Sequence, residues 1–535
     1  MKMKRNREAG QSLVLVALAL VFLIGFLGFA IDFGYYRYLR RQLQTAADAA
    51  ALAGAMDFTY GDSLTAAKAA SAENGFTDGA NGITVAANCW TGCTAQISTG
   101  PFIGSSYKNY VQAVVTDRQV PTFFSKMFGA TAPILSATAV AEGGLNCIYG
   151  LDQSGGALTL TLAIVSSACG VVDNHNLSLT LAALCAPSIQ LLGSQTGFFG
   201  ETCTAPFNQA KSVKISAPVA DPFCQSGASC LPAPSPSALT PTCSGTPYTV
   251  PAVTTLTPTT AALTGHCGIT ITNLGTAATP MQFAPGATGK FFGPIKITNS
   301  YVVFTNTGGV PYTISNLTTG TAGIAMNSTV FGRSTVLFQA NTYTVAGGIS
   351  DAGFGSLVNF NSTAGTTPSL VILDGGGLKL VGTAGQSTGG VTFYNTGTAA
   401  GSCVTCYGQI SSTFNFSGAF CGAGCNMSAP TTGTYAGILF FQDRNDTSTS
   451  SCAFGGSASA CFAASVGVNG PISHTGAYYF PTGTVSFNFN FGLGATYTYL
   501  IAKDVNWLVN FQFNTNYAAL PTSFPLRQGA AVLVQ

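Results

Sequence analysis

Few side chains in this chain could do chemistry. Cysteine is the first: sixteen are present, all between Cys89 and Cys461. Cys403-Val404-Thr405-Cys406 has the two-residue spacing of a redox or zinc motif, and with Cys421 and Cys425 it could be drawn as four thiolates around one zinc. A thioredoxin-like site would need a βαβ context, and none is visible here. The alternative chemistry is loop-stapling by disulfides, and short pairs recur: Cys89/Cys93, Cys224/Cys230, Cys403/Cys406, Cys421/Cys425 and Cys452/Cys461. In an exported chain the disulfide reading is preferred, although spacing does not set connectivity. Three histidines, His175, His266 and His474, leave little room for imidazole-based metal or acid–base sites. The best local carboxylate cluster is Asp443-Arg444-Asn445-Asp446. Paired carboxylates can cleave glycosidic bonds, but this cluster follows a strand-like run, where an Asp/Arg pair more often stabilises a turn. No Gly-x-Ser-x-Gly elbow with usable partners and no phosphate-cradling loop followed by Lys is present. The expectation is a protein without enzymatic activity, catalytic residues, cofactor or metal.

Composition points the same way. Charged residues are 7% of the 535, against about 25% in an average soluble protein. The net charge of +2 argues against a nucleic-acid partner, which selects for a basic surplus. Hydrophobic residues at 47% allow large cores and exclude wholesale disorder.

The elements begin with a strong membrane signal. Lys2, Lys4, Arg5 and Arg7 precede an apolar run from Leu13 to Ile31, long enough to span the roughly 30 Å hydrocarbon core. A cleaved secretory signal has a shorter apolar core, normally about 7–15 residues; Gly28-Phe29-Ala30 would be its cleavage site. Because the cysteines all follow the span, the long C-terminal part is expected outside the cytoplasm and residues 1–10 inside. The span, residues 11–31, continues as helix through 32–57, with no Pro and a run of good helix formers. Its Ala-rich end, from Ala46 to Ala55, suits close packing, either on its own domain or against another helix.

These residues resemble the N-terminal segment of the TadG-like family of Tad/Flp pilus-assembly proteins. The resemblance rests on Gly10-Gln11-Ser12-Leu13, the apolar run, Ile31-Asp32-Phe33-Gly34, and the stretch from Arg40-Arg41-Gln42-Leu43-Gln44 through Thr45-Ala46-Ala47-Asp48 to Ala55. The motif positions are Asp32, Gly34, Arg40, Arg41, Leu43, Gln44, Ala47 and Asp48. The resemblance implies a single-pass bacterial inner-membrane protein with a large periplasmic or extracellular domain, and pilus-assembly components as partners. Pilins carry Glu five residues after a processed Gly; here that position is Leu15, so incorporation into a filament as a pilin subunit is not expected.

Residues 58–143 read as a small α/β module. A helix at Ala66–Ala72 ends at Asn74-Gly75, strands lie at Ile83–Ala87, Tyr110–Val115 and Ile134–Glu142, and a short amphipathic helix covers Thr122–Phe128, opened by Pro121.

From 144 to 535 the chain reads as a mainly β ectodomain, with nine acidic and nine basic residues and short strands separated by Gly, Asn, Ser and Thr turns. A parallel β-helix stacks short strands at coil-sized intervals; a β-sandwich array would show cleaner alternation. The right-handed β-helix is preferred, with the sandwich array as alternative. Ala217–Pro222, Gly389–Thr396, Tyr435–Arg444 and Tyr479–Pro481 resemble ectodomains attached to some members of the pilus-assembly family, which are pectate-lyase-like β-helices in outline. The stretch 226–265, rich in proline, reads as a linker or long loop.

The leading functional expectation is a membrane-anchored structural protein assisting pilus assembly or surface attachment, with the cell wall or a glycan as further partner surfaces. The alternatives are a carbohydrate-active β-helix enzyme using Asp443 and Asp446, and an adhesin released by cleavage near Ala30.

Overall fold

The computed structural model describes residues 9–57, 63–89, 93–98, 110–129 and 131–144. From 146 to 533 it describes all but short stretches, the longest being 204–211, 362–368, 397–413, 418–425, 446–459, 466–472 and 514–519. The chain forms two compact units: residues 1–145 with 528–535, and residues 146–527. The second unit is thus inserted in sequence between two parts of the first.

In the first unit, helix α1 is continuous over Ala9–Met56, about 72 Å at 1.5 Å per residue. From Val14 onward its apolar half is exposed, Phe22 and Leu23 among the most open side chains. Its second half is built differently. Leu39, Leu43, Ala46, Ala47, Ala50, Ala51 and Ala55 recur at three- and four-residue spacing, hence on one face, and all are buried. That face lies on an antiparallel sheet of β1 (Ile83–Asn88), β2 (Tyr110–Asp117) and β3 (Leu135–Gly144). Helix α2 (Ser63–Glu73) packs beside it through Ala67. The alanines let the helix backbone approach the sheet, so among the described residues the small face is spent on its own module.

The sheet's fourth strand is Ala530–Leu533 near the C-terminus, paired antiparallel to β3. The expected helix over Thr122–Phe128 is shorter than read: only Ser125–Phe128 turns, as 3₁₀, and Pro121 does not open it.

The second unit is mainly parallel β, as expected of a solenoid. Successive coils contribute strands to three stacked rows; one coil is Lys290–Gly293, Ile295–Thr298 and Tyr301–Phe304. The next is Tyr312–Asn316, Ile324–Asn327 and Thr335–Phe338, each paired in parallel with the strand before it. The interior is aromatic. Phe283, Phe304, Phe338 and Phe360 stack in register, with ring centroids 4.7, 5.0 and 4.8 Å apart. Tyr312 and Tyr343 form a second column at 5.3 Å and meet the first edge-on. Offset stacking and edge contact are the arrangements that the ring quadrupole favours.

The coils do not stack in simple sequence order. Asn146–Gly150 pairs on one side with Gly170–Asp173 and on the other with Thr498–Trp507. The chain therefore enters mid-stack. It builds outward through Ile189–Leu191 to Ser212–Lys214, then resumes at the far end with Tyr248–Thr249 and stacks back to close against its own start.

The proline-rich stretch makes this crossing as a strap. Asn174 and Val219 exchange hydrogen bonds at 2.7 and 2.8 Å. Tyr479 donates to Asp221, Arg444 donates to the carbonyls of Leu231 (2.7 Å) and Phe223 (3.1 Å), and Tyr435 donates to the carbonyl of Pro232. Further along, the Ser237 N–H points to Thr344 Oγ1 at 3.4 Å. Successive strap residues thus touch successively more distant coils. Proline suits a segment held by side chains rather than by a ladder, because it lacks the N–H a ladder needs. The second half of 226–265 already belongs to the coils, since Tyr248–Thr249 and Thr255–Leu256 pair with strands ahead of them.

A buried carboxyl and a half-buried one make stability pH-dependent. Burial pushes Asp173 up to about 6, although the His175 N–H donates to its Oδ1 at 2.8 Å. Asp504 is also raised to about 6, by burial and then by the neighbouring Asp152. A carboxyl raised in the folded state contributes most below its unfolded value of about 4, and that contribution is lost as pH rises through about 6. Wild type should therefore lose melting temperature relative to Asp173→Asn between pH 4.5 and 7.5. A difference between the two that stays constant across that interval would contradict the assignment.

Candidate functional site

The first candidate site is helical, at residues 32–57. Asp32 is 1% exposed, and its partners come from far along the chain. Its carboxylate accepts the backbone N–H groups of Phe123 (3.1 Å), Phe124 (3.1 Å) and Ser125 (2.7 Å), and the Ser125 hydroxyl at 2.5 Å. It thereby serves as a remote cap: no side chain of the 3₁₀ turn caps its own start, and helix-start donors need an acceptor. One turn back, Gly28 is the only residue type that fits. A Cβ there would stand 2.8 Å from Phe124 Cβ and Cγ. One turn on, Tyr35 meets Phe123 edge-on at 5.4 Å. Gly28, Asp32 and Tyr35 therefore form one docking stripe for the 123–125 turn.

The remaining motif positions divide in two. Leu43 and Ala47 are buried against the sheet. Gln44 donates to Asp48 (2.8 Å) and to the carbonyl of Thr138 in β3 (3.1 Å), tying helix to sheet. By contrast Gly34, Arg40 and Arg41 are exposed, and no atom lies within 4 Å of where a Gly34 Cβ would stand. Nothing among the described residues of the module requires these three.

Residues 10–57 match the family model described as putative Flp pilus-assembly TadE/G-like. No curated protein and no solved structure matches the chain. The Tad segment thus coincides with α1 from its second residue to one past its end. Its first half is the apolar run, and its second half is the sheet-packed face with the Asp32 cap. The signal that sequence reading missed is the partner of Asp32, which lies ninety residues away at Phe123–Ser125, three uncharged residues that donate mainly through their backbone.

Asp32→Ala should release the turn. Hydrogen exchange at the amides of Phe123, Phe124 and Ser125 should accelerate at least tenfold, with β2 and β3 unchanged. Unchanged exchange at those three amides would show that the carboxylate does not hold them.

The other candidates lie in the solenoid. Asp443 is held in a turn: its N–H donates to the Asn395 carbonyl (2.8 Å) and its Oδ1 accepts the Asn445 N–H (2.9 Å). Arg444 lies over the rings of Tyr479 (5.0 Å) and Phe441 (5.6 Å), pairs with Asp221 at 3.5 Å and grips the strap. Asp446 lies outside the described residues. Cys89–Cys93 and Cys224–Cys230 are disulfide-bonded. Sequence reading did not pair Cys147–Cys169, Cys185–Cys203 or Cys243–Cys267, which are also bonded. Cys147–Cys169 staples neighbouring coils, and sequence spacing does not mark which coils stack. Cys403, Cys406, Cys421, Cys425 and Cys452 lie outside the described residues, and of Cys461 only the backbone is described, in strand Ala460–Ser465.

His266 Nδ1 lies 2.7 Å from the Thr246 carbonyl. His474 is buried beside the Tyr478 hydroxyl, and burial pushes its imidazole down to about 3. Among the described residues no group of three or more His, Cys, Asp or Glu side chains could hold a metal ion.

Proposed function

We propose that this chain is a single-pass, membrane-anchored structural protein that assists assembly of a Tad/Flp-type pilus or attachment beside it. The observation that carries this reading is the division of α1. One continuous helix, matched over 10–57 to the pilus-assembly family, has an exposed apolar half of membrane-spanning length and a second half buried in its own folded module. The N-terminus is cytoplasmic in this reading. The module and the solenoid stand in the periplasm or beyond, where the disulfides are stable.

The solenoid acts as a rigid, weakly charged spacer and not as an enzyme. Of its best carboxylate cluster, Asp443 is held in a turn and Arg444 grips the strap. Inner membrane and pilus-assembly components are its partners, and cell wall or glycan would meet the solenoid's Ser/Thr/Asn surface. The exposed Gly34, Arg40 and Arg41, unused by the described residues of the module, are the positions available to a pilus-assembly partner just past the span.

Deleting the gene in its native host and counting surface filaments tests the reading. Filaments should be lost and restored by the full chain, but not by a chain whose residues 1–31 are replaced by a cleavable signal. Filaments of normal number and length in the deletion strain would refute the assembly role.

A further inference from the structure

The 123–125 turn carries two large apolar rings that stay partly open although one meets Tyr35 and the other Gly28. Phe123 is 58% exposed and Phe124 is 40% exposed. Their height along α1 follows from the helix itself. Leu13 to Ile31 makes about 28 Å of helix at 1.5 Å per residue, barely the roughly 30 Å that the hydrocarbon core requires. If the hydrocarbon ended before Gly28, only about 22 Å of apolar helix would remain inside it. Gly28 must therefore lie within the apolar layer, near its outer edge. Phe124 lies against Gly28, about 6 Å below Asp32 along the helix axis, and so shares that depth.

We propose that the Phe123–Phe124 turn is a second membrane contact, which inserts both rings into the outer boundary of the phospholipid bilayer beside α1. The proposal rests on the anchoring reading above. Backbone at that depth needs internal acceptors, because lipid offers none. The Asp32 carboxylate supplies them to three consecutive N–H groups and one hydroxyl. The same bonds give the carboxylate four donors where water is scarce. Exposed Lys126 follows in the turn, with a stem long enough to bring its ammonium up to the phosphates. The result is a two-point attachment: α1 crosses the bilayer, and the turn fixes the rotation and tilt of the module about that crossing.

The test uses the full chain in bilayer discs of phosphatidylethanolamine and phosphatidylglycerol carrying brominated acyl chains. Trp90 is replaced by Phe, and buried Trp507 is kept as an unquenched reference. In this background, Phe123→Trp and, separately, Leu20→Trp report depth. Phe123→Trp should lose at least half its emission to bromines placed near the headgroup end of the chains, and less to bromines near the bilayer centre. Leu20→Trp should show the reverse.

If Leu20→Trp is quenched and Phe123→Trp is not, the helix spans but the turn stays out, and the proposal falls alone. It falls equally whether the turn then faces water, a second copy or another protein. If neither is quenched, the anchoring reading itself fails. Hydroxyl-radical footprinting of the unsubstituted chain in the same discs guards against a misfolded variant. Phe123 should be oxidised more slowly than Leu162, which is 65% exposed on the solenoid; faster oxidation, as the aromatic ring's greater intrinsic reactivity would give in water, overturns the proposal.

Discussion

Phe338→Ala should destabilise the solenoid by about 3–5 kcal/mol. Phe338 is fully buried. It is sandwiched between Phe304 at 5.0 Å and Phe360 at 4.8 Å, and Tyr343 stands edge-on to it at 5.2 Å. Removing the ring leaves three aromatic faces without a partner in an interior whose coils cannot close up, because their spacing is set by the backbone ladder. Phe338→Leu keeps most of the volume and should cost less than half as much. Denaturant unfolding of the full chain, followed by an ectodomain probe such as Trp507, measures both. Equal losses for the two variants would mean that ring stacking matters there and volume does not.

The second large effect lies in the first unit. A Cβ at Gly143 would stand 2.1 Å from the Ala55 carbonyl oxygen and 2.5 Å from its carbon. These are backbone atoms at the end of α1, so no side-chain rotation relieves the clash. Gly143→Val should prise the last turn of the helix from β3, at a cost on the order of 3 kcal/mol. The effect on the Tad segment is specific. Exchange protection of the amides around Ala51–Ala55 should fall while the solenoid's melting is unchanged. A variant with full protection there would contradict the described packing of helix on sheet.

Much of this architecture was legible in the amino-acid sequence. The unbroken helix could be read because it has no proline, a long apolar run and then alanine; it spans Ala9–Met56, close to the expected 11–57. The parallel coil stack could be read from composition, since short β-branched and aromatic runs between Gly/Asn/Ser turns leave little else. Its register could not. Stacked partners such as Phe291 and Ile314, Ile314 and Val345, Val345 and Leu373, Leu373 and Asn395 lie at unequal sequence distances, because the turns between coils vary in length.

Three features were hidden by their range. The strand Ala530–Leu533 pairs with Ala141–Gly144, and a four-residue apolar run at a chain end carries no sign of so distant a partner. The mid-stack entry at Asn146–Gly150 breaks the expectation that neighbouring coils are neighbours in sequence. In the helical site, Leu43 and Ala47 were readable as a packing face by their spacing. Asp32 was singled out through the family motif alone, and its role as a cap depends on a turn that local sequence placed three residues too early.

The central claim is that the intact chain is held in the membrane by α1. Native cells should be separated into sheared surface filaments, membrane and medium, and the intact mass measured in whichever fraction holds the protein. The account predicts the full-length chain of 54.5 kDa in the membrane fraction, resistant to alkaline carbonate. A form shortened near Ala30, recovered from filaments or medium, would contradict it.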